Sequence, residues 1–240
     1  MKDNLERETG ESVDIELPQE GGTTATCVLV DHSNVTIAWV GDSCAIIGQR
    51  SYPRDTFKVK ELTKAHNLMN GIERERSKKR GGQVVHLSES NARIAVSGVE
   101  GSLNVTRSLG DSPFHKSDIV SSTPDITKHV LRSLDCFLVV ASDGVWDHLE
   151  HAEMVQIVGS MLEQFRALGI SDEEIASAAS VKIFELLHEK QKNALADDCS
   201  IVIILFNRDS RGGATTESDT GTGKSGSQEQ AESESEDQAV

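Results

Sequence analysis

Two stretches in the second half of the chain repeat apolar residues at the spacing of an α-helix. In Glu153–Leu168 the apolar positions recur at intervals of three and four residues, which places them on one helical face. A second helix is predicted from Ser171, because Ser171 and Glu174 have the spacing of a capping box ahead of another apolar series. Each apolar face needs a surface to pack on, so these helices predict a domain with a buried core.

Short runs rich in β-branched residues precede these helices, and one more follows them. Thr24–Val30 and Val35–Val40 are separated by D-H-S-N, which is typical of a hairpin loop. The nearly uninterrupted apolar run Ser200–Phe206 predicts a strand buried on both faces. Other short runs predict strands at Ala45–Ile47, Arg93–Ser97 and Phe137–Ala141. Strands with helices packed on them make the predicted fold class α+β.

Acidic residues are concentrated at the two ends of the 240-residue chain, whose formal net charge is −15. Residues 1–20 carry seven acidic and two basic side chains without apolar periodicity, and we predict an acidic linker or tail there. Residues 208–240 carry eight acidic and three basic side chains and are rich in Gly, Ser and Thr. Such a segment cannot bury enough apolar surface to offset its ordering entropy, so we predict a disordered tail. The predicted folded domain is therefore 21–207.

Charge, hydropathy and cysteine usage exclude several classes of protein. Nucleic acids and anionic membranes require a basic surface, so we expect neither as a partner. No apolar run is long enough to cross a bilayer, and the acidic N-terminal stretch is unlike a secretory signal. The four cysteines, Cys27, Cys44, Cys136 and Cys199, form no C-x-x-C pair and lie in or beside apolar runs, as reduced, buried thiols do. We therefore expect a monomeric intracellular protein, either cytoplasmic or nuclear.

Several aspartates lie at the ends of predicted strands. Asp42 follows the second strand, Asp143 follows the strand that ends at Ala141, and Asp197 comes just before the last strand. If these strands are antiparallel neighbours, the carboxylates converge at one sheet edge, where a divalent cation such as Mg²⁺ or Mn²⁺ would relieve their repulsion. Asp147 could reach the same place if a helical turn follows Asp143.

Each of these acids also has a simpler interpretation. An Asp before Gly, such as Asp143, is a common turn former. An Asp before a strand, such as Asp197, is usually the solvated end of a loop. Spacing alone does not separate these interpretations from a metal site.

Seven short motifs follow one another along the chain. In order they are G-G-T-T-A-T-C-V-L-V, A-W-V-G-D-S-C-A, E-L-T-K-A-H-N, E-R-E-R-S-K-K-R-G-G-Q-V, N-V-T-R-S-L-G-D, F-L-V-V-A-S-D-G-V-W-D and A-D-D-C-S-I-V-I-I. Over about Gly21–Phe206 this series resembles the successive motifs of the metal-dependent Ser/Thr protein phosphatases of type 2C (the PPM family). One motif such as S-D-G is weak, but the ordered set is specific.

The resemblance implies a fold, a reaction and a metal site. The family fold is a sandwich of two antiparallel β-sheets flanked by helix pairs, in four αββα layers. Its members use two Mn²⁺ or Mg²⁺ ions to activate a water that hydrolyses phosphoserine and phosphothreonine, so phosphorylated proteins are the implied substrates. Asp143 and Asp197 match the family's metal ligands, and Asp42 and Asp147 match acids of a third, weaker site.

The resemblance starts after the family's first motifs. In the family, an Arg, an acidic pair and D-G-H-G-G supply the phosphate-binding Arg, a bridging metal ligand and the general-acid His. Nothing in 1–22 matches them, so no catalytic residue is assigned and the predicted domain is N-terminally incomplete. We expect this chain to be inactive or weakly active alone. The alternative is a pseudophosphatase, a catalytically dead member that acts as a binding or regulatory module.

A basic run and two histidines need separate interpretation. The basic run Arg74–Arg80 is either a solvated helix face or a surface that steers a phosphorylated substrate. His66 follows Ala65, where the family commonly has Asp, and we expect it to be an ordinary loop residue. His148 is expected on the first turn of a helix.

Overall fold

The computed structural model of the chain describes residues 21–52, 56–88, 92–191 and 197–206, and the backbone of 4–6 and 12–14. The predicted tail at 208–240 lies outside the described residues, as does most of the predicted acidic linker at 1–20. Within that linker the structure has two short paired strands, β1 (Asn4–Glu6) and β2 (Ser12–Asp14), which we did not predict.

The other described strands are β3 (Gly22–Thr23), β4 (Ala25–Asp31), β5 (Asn34–Val40), β6 (Cys44–Ser51), β7 (Thr56–Glu61), β8 (Gln83–His86), β9 (Ala92–Ala95), β10 (Leu109–Gly110), β11 (Asp125–Val130), β12 (Asp135–Ala141) and β13 (Ile201–Leu205). The described α-helices are α1 (Gly71–Lys79), α2 (Asp143–Trp146), α3 (His151–Ala167) and α4 (Asp172–Lys190). A 3₁₀ helix covers Ser112–Asp118.

Two antiparallel sheets form a sandwich, which confirms the predicted α+β class. One sheet has the strand order β11-β5-β4, and the other has the order β13-β12-β6-β7. Their inner faces share one apolar cluster, because alternate residues of each strand point to the same side of a sheet. Its fully buried members include Val35, Ile37, Ala45, Ile47 and Leu138.

Helices α3 and α4 cover the outer face of the four-stranded sheet. Their buried residues pack against Ile46, Phe137 and Val139 of that sheet. The predicted capping box is present at the start of α4: the Ser171 side chain accepts a hydrogen bond from the Glu174 N–H, and the Glu174 carboxylate accepts one from the Ser171 N–H. The apolar periodicity therefore identified both the helices and the faces they bury.

The outer face of the three-stranded sheet is different. Among the described residues no helix packs across it, and Leu29, Ile126 and Val130 are each more than 60% exposed there. Of the four layers that the family resemblance implies, the described residues supply three.

Two expectations about burial were wrong. Among the described strands, the last one, β13, is at the edge of its sheet and pairs with β12 alone. Val202 is therefore 56% exposed, and the strand is not buried on both faces. Cys27 is exposed, because it lies on the outward-facing side of the edge strand β4. Cys44 and Cys136 are buried as expected, and all four cysteines are free thiols.

A small lobe with its own core lies beside the sandwich. It contains α1, the antiparallel pair β8–β9 and the 3₁₀ helix. Its buried side chains include Leu68, Ile94, Phe114 and Val120. The lobe places β9 beside the strand ends that carry the aspartates, because both line one cleft.

Candidate functional site

The three acidic segments lie at the same end of the four-stranded sheet. Ala141, the last residue of β12, pairs with Cys44 at the start of β6 and with Ile201 at the start of β13. The condition set above, that these strands are antiparallel neighbours, is therefore met. This pairing brings Asp42, Asp143 and Asp197 to one edge of the sheet, whereas their role as metal ligands stays a prediction.

A single helical turn follows β12, which is the condition under which we expected Asp147 to lie near Asp143. Asp143 is the first residue of α2 and Asp147 is its C-cap. The indole N–H of Trp146 anchors this turn, donating hydrogen bonds to the carbonyls of Ala141 at 2.8 Å and Cys44 at 3.3 Å. Trp146 thus holds the turn that carries Asp143 and Asp147 against the ends of strands β6 and β12.

Backbone contacts hold α2 against the segment before β13. The Ser142 N–H donates to the Ser200 carbonyl at 3.0 Å, and the Ser142 hydroxyl accepts from the Ser200 N–H at 2.9 Å. Gly144 lies so close to Asp198 that an added Cβ would be 2.5 Å from the Asp198 carbonyl oxygen. A residue without a side chain is therefore needed for Asp143 and Asp197 to share this place.

Gly41 has a comparable role before Asp42. Its φ is +100°, a conformation open to glycine, and an added Cβ would overlap the Thr24 side chain. The chain can therefore leave β5 and turn at once into β6, with Asp42 between the two strands.

Asp42, Asp143, Asp147 and Asp197, called the acid cluster below, repel one another. Burial, together with the charges of Asp143, Asp147 and Asp197, raises the pKa of Asp42 to about 6. Burial also raises the pKa of Asp143, with the charges of Asp197 and Asp147 acting in the same direction. Carboxylates that disfavour their own ionised form are stabilised by a cation placed among them.

A cleft of about 860 Å³ opens beside the acid cluster. Asp42, Asp143 and Asp147 line it, whereas Asp197 is exposed and is not one of the lining residues. The other lining side chains include Glu61, Asn67, Asn104, Arg93, Lys64, His148 and His151. A cleft of this volume has room for an ion beside these three carboxylates and for a phosphorylated side chain.

The acid cluster fits a hard divalent cation by donor chemistry and by charge, but not as a closed cage. Within the described part of the chain, no three His, Cys, Asp or Glu side chains converge closely enough to enclose one ion. Repulsion acts over several ångströms, whereas ligation requires oxygens at about 2.0–2.6 Å, so both observations hold together. Mg²⁺ commonly binds through one or two carboxylates and keeps several waters, and the acid cluster fits this open mode of binding.

We did not predict a second set of charges, which is not part of the cleft lining. Glu73 of α1 is 2% exposed and contacts Arg107 at 2.6 Å, Arg76 at 3.1 Å and the Thr106 hydroxyl at 2.9 Å. Arg107 also contacts Asp125 at 2.7 Å. Burial raises the pKa of Glu73, but hydrogen bonds from Arg107 and Thr106 and the two arginine charges outweigh it and lower the pKa to about 2. We call Glu73, Arg76, Arg107 and Asp125 the ion-pair network.

His66 connects this network to the sandwich, so it is not an ordinary loop residue. It is 1% exposed, stacks on Trp39 with ring centroids 5.5 Å apart, and its Nε2 is 3.2 Å from an Asp125 oxygen. Burial lowers its pKa, although Asp125 acts in the opposite direction. The buried imidazole thus joins the ion-pair network to the sandwich through its contacts with Asp125 and Trp39.

Two of the open interpretations also change. Arg74–Arg80 is mostly within α1, and Arg76 points into the protein, where it donates to the carbonyls of Thr106 and Asp118. The run is therefore not simply a solvated face. His148 lies in the turn between α2 and α3 instead of on the first turn of a helix, and it lines the cleft.

No helix in the described part of the chain is long and apolar enough to span a membrane.

Comparison with known proteins places this architecture in a family. The family model described as protein phosphatase 2C matches residues 2–185. A curated rice relative, "Probable protein phosphatase 2C 32" from Oryza sativa subsp. japonica, is 31% identical over 193 residues, covering 80% of this chain and 44% of the relative. "Probable protein phosphatase 2C 8" from Arabidopsis thaliana is 27% identical over 198 residues, covering 79% of this chain and 51% of the relative. The chain thus spans about half the length of the curated relatives it matches.

Solved structures agree with the fold. A serine-threonine phosphatase 2C from Toxoplasma gondii superposes with a TM-score of 0.62 at 21% identity, covering 78% of this chain and 58% of that one. A C. elegans sex determining protein superposes with a TM-score of 0.57 at 26% identity, covering 77% and 40%. With the family model matching most of the chain, the protein belongs to the protein phosphatase 2C family.

Proposed function

We propose that this chain contributes the acid cluster of a metal-dependent phosphatase that hydrolyses phosphoserine and phosphothreonine in proteins. The observation that carries the proposal is the raised pKa of Asp42 and Asp143 in a cleft, caused by burial and by their neighbours' charges. Strongly perturbed carboxylates in a cleft are typical of functional sites. Family membership supplies the reaction, and phosphorylated proteins are the proposed partners.

Asp143 and Asp197 would hold the Mn²⁺ or Mg²⁺ ions, with Asp42 and Asp147 contributing to a further, weaker site. When bound, the ions supply Lewis-acid activation of the attacking water and offset charge on the phosphoryl oxygens. Trp146 and Ser142 would keep the carboxylates in place through the contacts described above. Asp42 must be ionised to attract a cation, so we expect cation binding to strengthen as the pH rises through about 6.

A second candidate is a pseudophosphatase that binds phosphoproteins without hydrolysing them. The absence of three converging metal donors among the described residues favours it. Both candidates share the fold and the cleft, and they differ in whether cations produce turnover.

Hydrolysis of a phosphothreonine peptide by the full chain, with and without Mn²⁺, tests the proposal. We expect weak Mn²⁺-dependent release of phosphate that is lost in Asp143→Asn and kept in Asp31→Asn, which removes an exposed carboxylate from the edge strand β4. Phosphate release that is unchanged in Asp143→Asn would contradict the assignment. Binding of Mn²⁺ and the peptide without any release would favour the pseudophosphatase.

A further inference from the structure

The cleft that contains the acid cluster also has cationic lining residues. Arg93 comes from β9 in the small lobe, and Lys64 comes from the segment after β7. Arg93 is half-buried and Lys64 is exposed. Two cations from different elements therefore line the same space as Glu61 and three carboxylates of the acid cluster.

Arg93 is held in a fixed position. Its Nε and Nη2 donate to the Ser102 carbonyl at 3.2 and 2.9 Å. Its neighbours Ala92 and Ile94 are buried, and its backbone pairs with Val85 across the β8–β9 ladder. Both anchoring bonds use the same side of the guanidinium group, which leaves Nη1 available.

Among the described residues Arg93 has no carboxylate partner, in contrast to Arg76, Arg107 and Arg166. Arg76 and Arg107 contact Glu73, and Arg166 contacts Asp172. Within the described part of the chain, Arg93 has no carboxylate within ion-pair distance, and its Nη1 makes no hydrogen bond. A half-buried guanidinium without an anion, anchored at one edge and lining a cleft, is suited to bind an anionic ligand.

We propose that Arg93, assisted by Lys64, forms a phosphate subsite that binds the phosphoryl oxygens of the phosphorylated side chain. The inference rests on the proposed function, because it names the substrate group that enters the same cleft. A phosphoryl dianion near three carboxylates is repelled unless fixed cations offset that charge. Arg93 would supply a planar donor group at short range, and Lys64 a mobile charge at the cleft entrance.

Peptide binding to the full chain in Mg²⁺ tests this subsite. A phosphothreonine peptide and its unphosphorylated counterpart are titrated by calorimetry against the unaltered chain and Arg93→Ala. Charge-assisted hydrogen bonds of this kind correspond to about a tenfold to hundredfold change in affinity. We expect a loss of that size for the phosphorylated peptide and no change for the unphosphorylated one.

Two kinds of variant separate binding from folding and from total charge. Arg80→Ala removes the same charge from an exposed position outside the cleft lining and should leave the affinity unchanged. Arg93→Lys keeps the charge but loses the planar fork, so an intermediate loss is expected. Lys64→Ala, at an exposed position, should give a smaller loss that disappears at high salt. Thermal melts confirm that each variant is folded.

The results distinguish this subsite from the metal site. Equal phosphopeptide affinity in Arg93→Ala, an equal loss in Arg80→Ala, or no phosphate preference in the unaltered chain would each overturn the subsite. If Asp143→Asn leaves Mn²⁺ binding unchanged while Arg93→Ala still weakens phosphopeptide binding, the metal assignment fails and the subsite stands. If Asp143→Asn removes Mn²⁺ binding while Arg93→Ala has no effect, the subsite alone is wrong.

Discussion

The acid cluster and the ion-pair network contain the same kind of residue in opposite circumstances. In the network, Glu73 is buried against two arginines and a hydroxyl, and its pKa falls to about 2. In the acid cluster, burial and the charges of neighbouring carboxylates raise the pKa of Asp42 to about 6. The network completes its own charge balance, whereas the cluster forms no ion pair with a basic side chain among the described residues. Buried acids therefore stabilise the structure in one place, and in the other they form the cation site that we propose.

The largest effect is expected from breaking the network. Glu73→Ala leaves the partly buried Arg76 without an anion and leaves Arg107 with Asp125 alone. Removing one member of such a group typically costs about 3–5 kcal/mol. Denaturant unfolding should show a loss of this size in the free energy of unfolding. Glu75→Gln, on the exposed side of the same helix, is the matched control and should change it by less than about 0.5 kcal/mol. Equal losses in the two variants would show that Glu73 contributes no more to stability than an exposed charge does.

In the acid cluster, by contrast, removal of a carboxylate is expected to stabilise the chain. The pKa of Asp42 is raised from 3.8 to about 6, so the folded chain holds this proton more tightly than the unfolded chain does. Protonated Asp42 therefore stabilises the folded chain below pH 4. This contribution to the free energy of unfolding, about 2–3 kcal/mol, is lost as the pH rises to 6. Without divalent cations, Asp42→Asn should therefore stabilise the chain at pH 7 and have little effect at pH 4. Destabilisation at pH 7 by denaturant unfolding would show that Asp42 is already paired.

A smaller effect should come from the geometry of the cluster. Gly144→Ala places a methyl group against the Asp198 carbonyl, and relief of such overlap typically costs about 1–3 kcal/mol. The shift separates Asp143 from Asp197, so the gain in melting temperature from Mn²⁺ should also shrink. Gly71→Ala, at the start of α1, is the matched control, because Gly71 also lacks a positive φ but has open space around it. An unchanged Mn²⁺ response in Gly144→Ala would contradict the importance of this close contact.

Much of this fold could be predicted from the sequence because the relevant signals are local. The spacing of Met154, Val158 and Leu162 identified α3, and the capping box at Ser171 identified the start of α4. The edge position of β13 could not be predicted, because an apolar run does not show which strands will pair with it. The strand β7 was missed for a related reason: its alternating T-F-K-V-K-E pattern buries only Phe57 fully.

The candidate site was predictable in its aspartates and not in its cations. Asp42, Asp143 and Asp197 lie at strand ends within recognisable motifs, so their placement followed from the strands. Glu73 lies in a run of charged residues that favours a solvated helix, and only tertiary structure shows that Arg107 reaches it from 34 residues away. Arg93 lies in an ordinary strand pattern, and only the cleft distinguishes it from other surface arginines.

Calorimetric titration of Mn²⁺ into the full chain at pH 7 tests most directly whether the acid cluster is a cation site. Asp143→Asn is the test variant, and Asp31→Asn is the matched control. We expect saturable binding in the unaltered chain and in Asp31→Asn, and weaker or no binding in Asp143→Asn. Identical titrations for all three proteins would show that the raised pKa values of Asp42 and Asp143 do not mark a metal site.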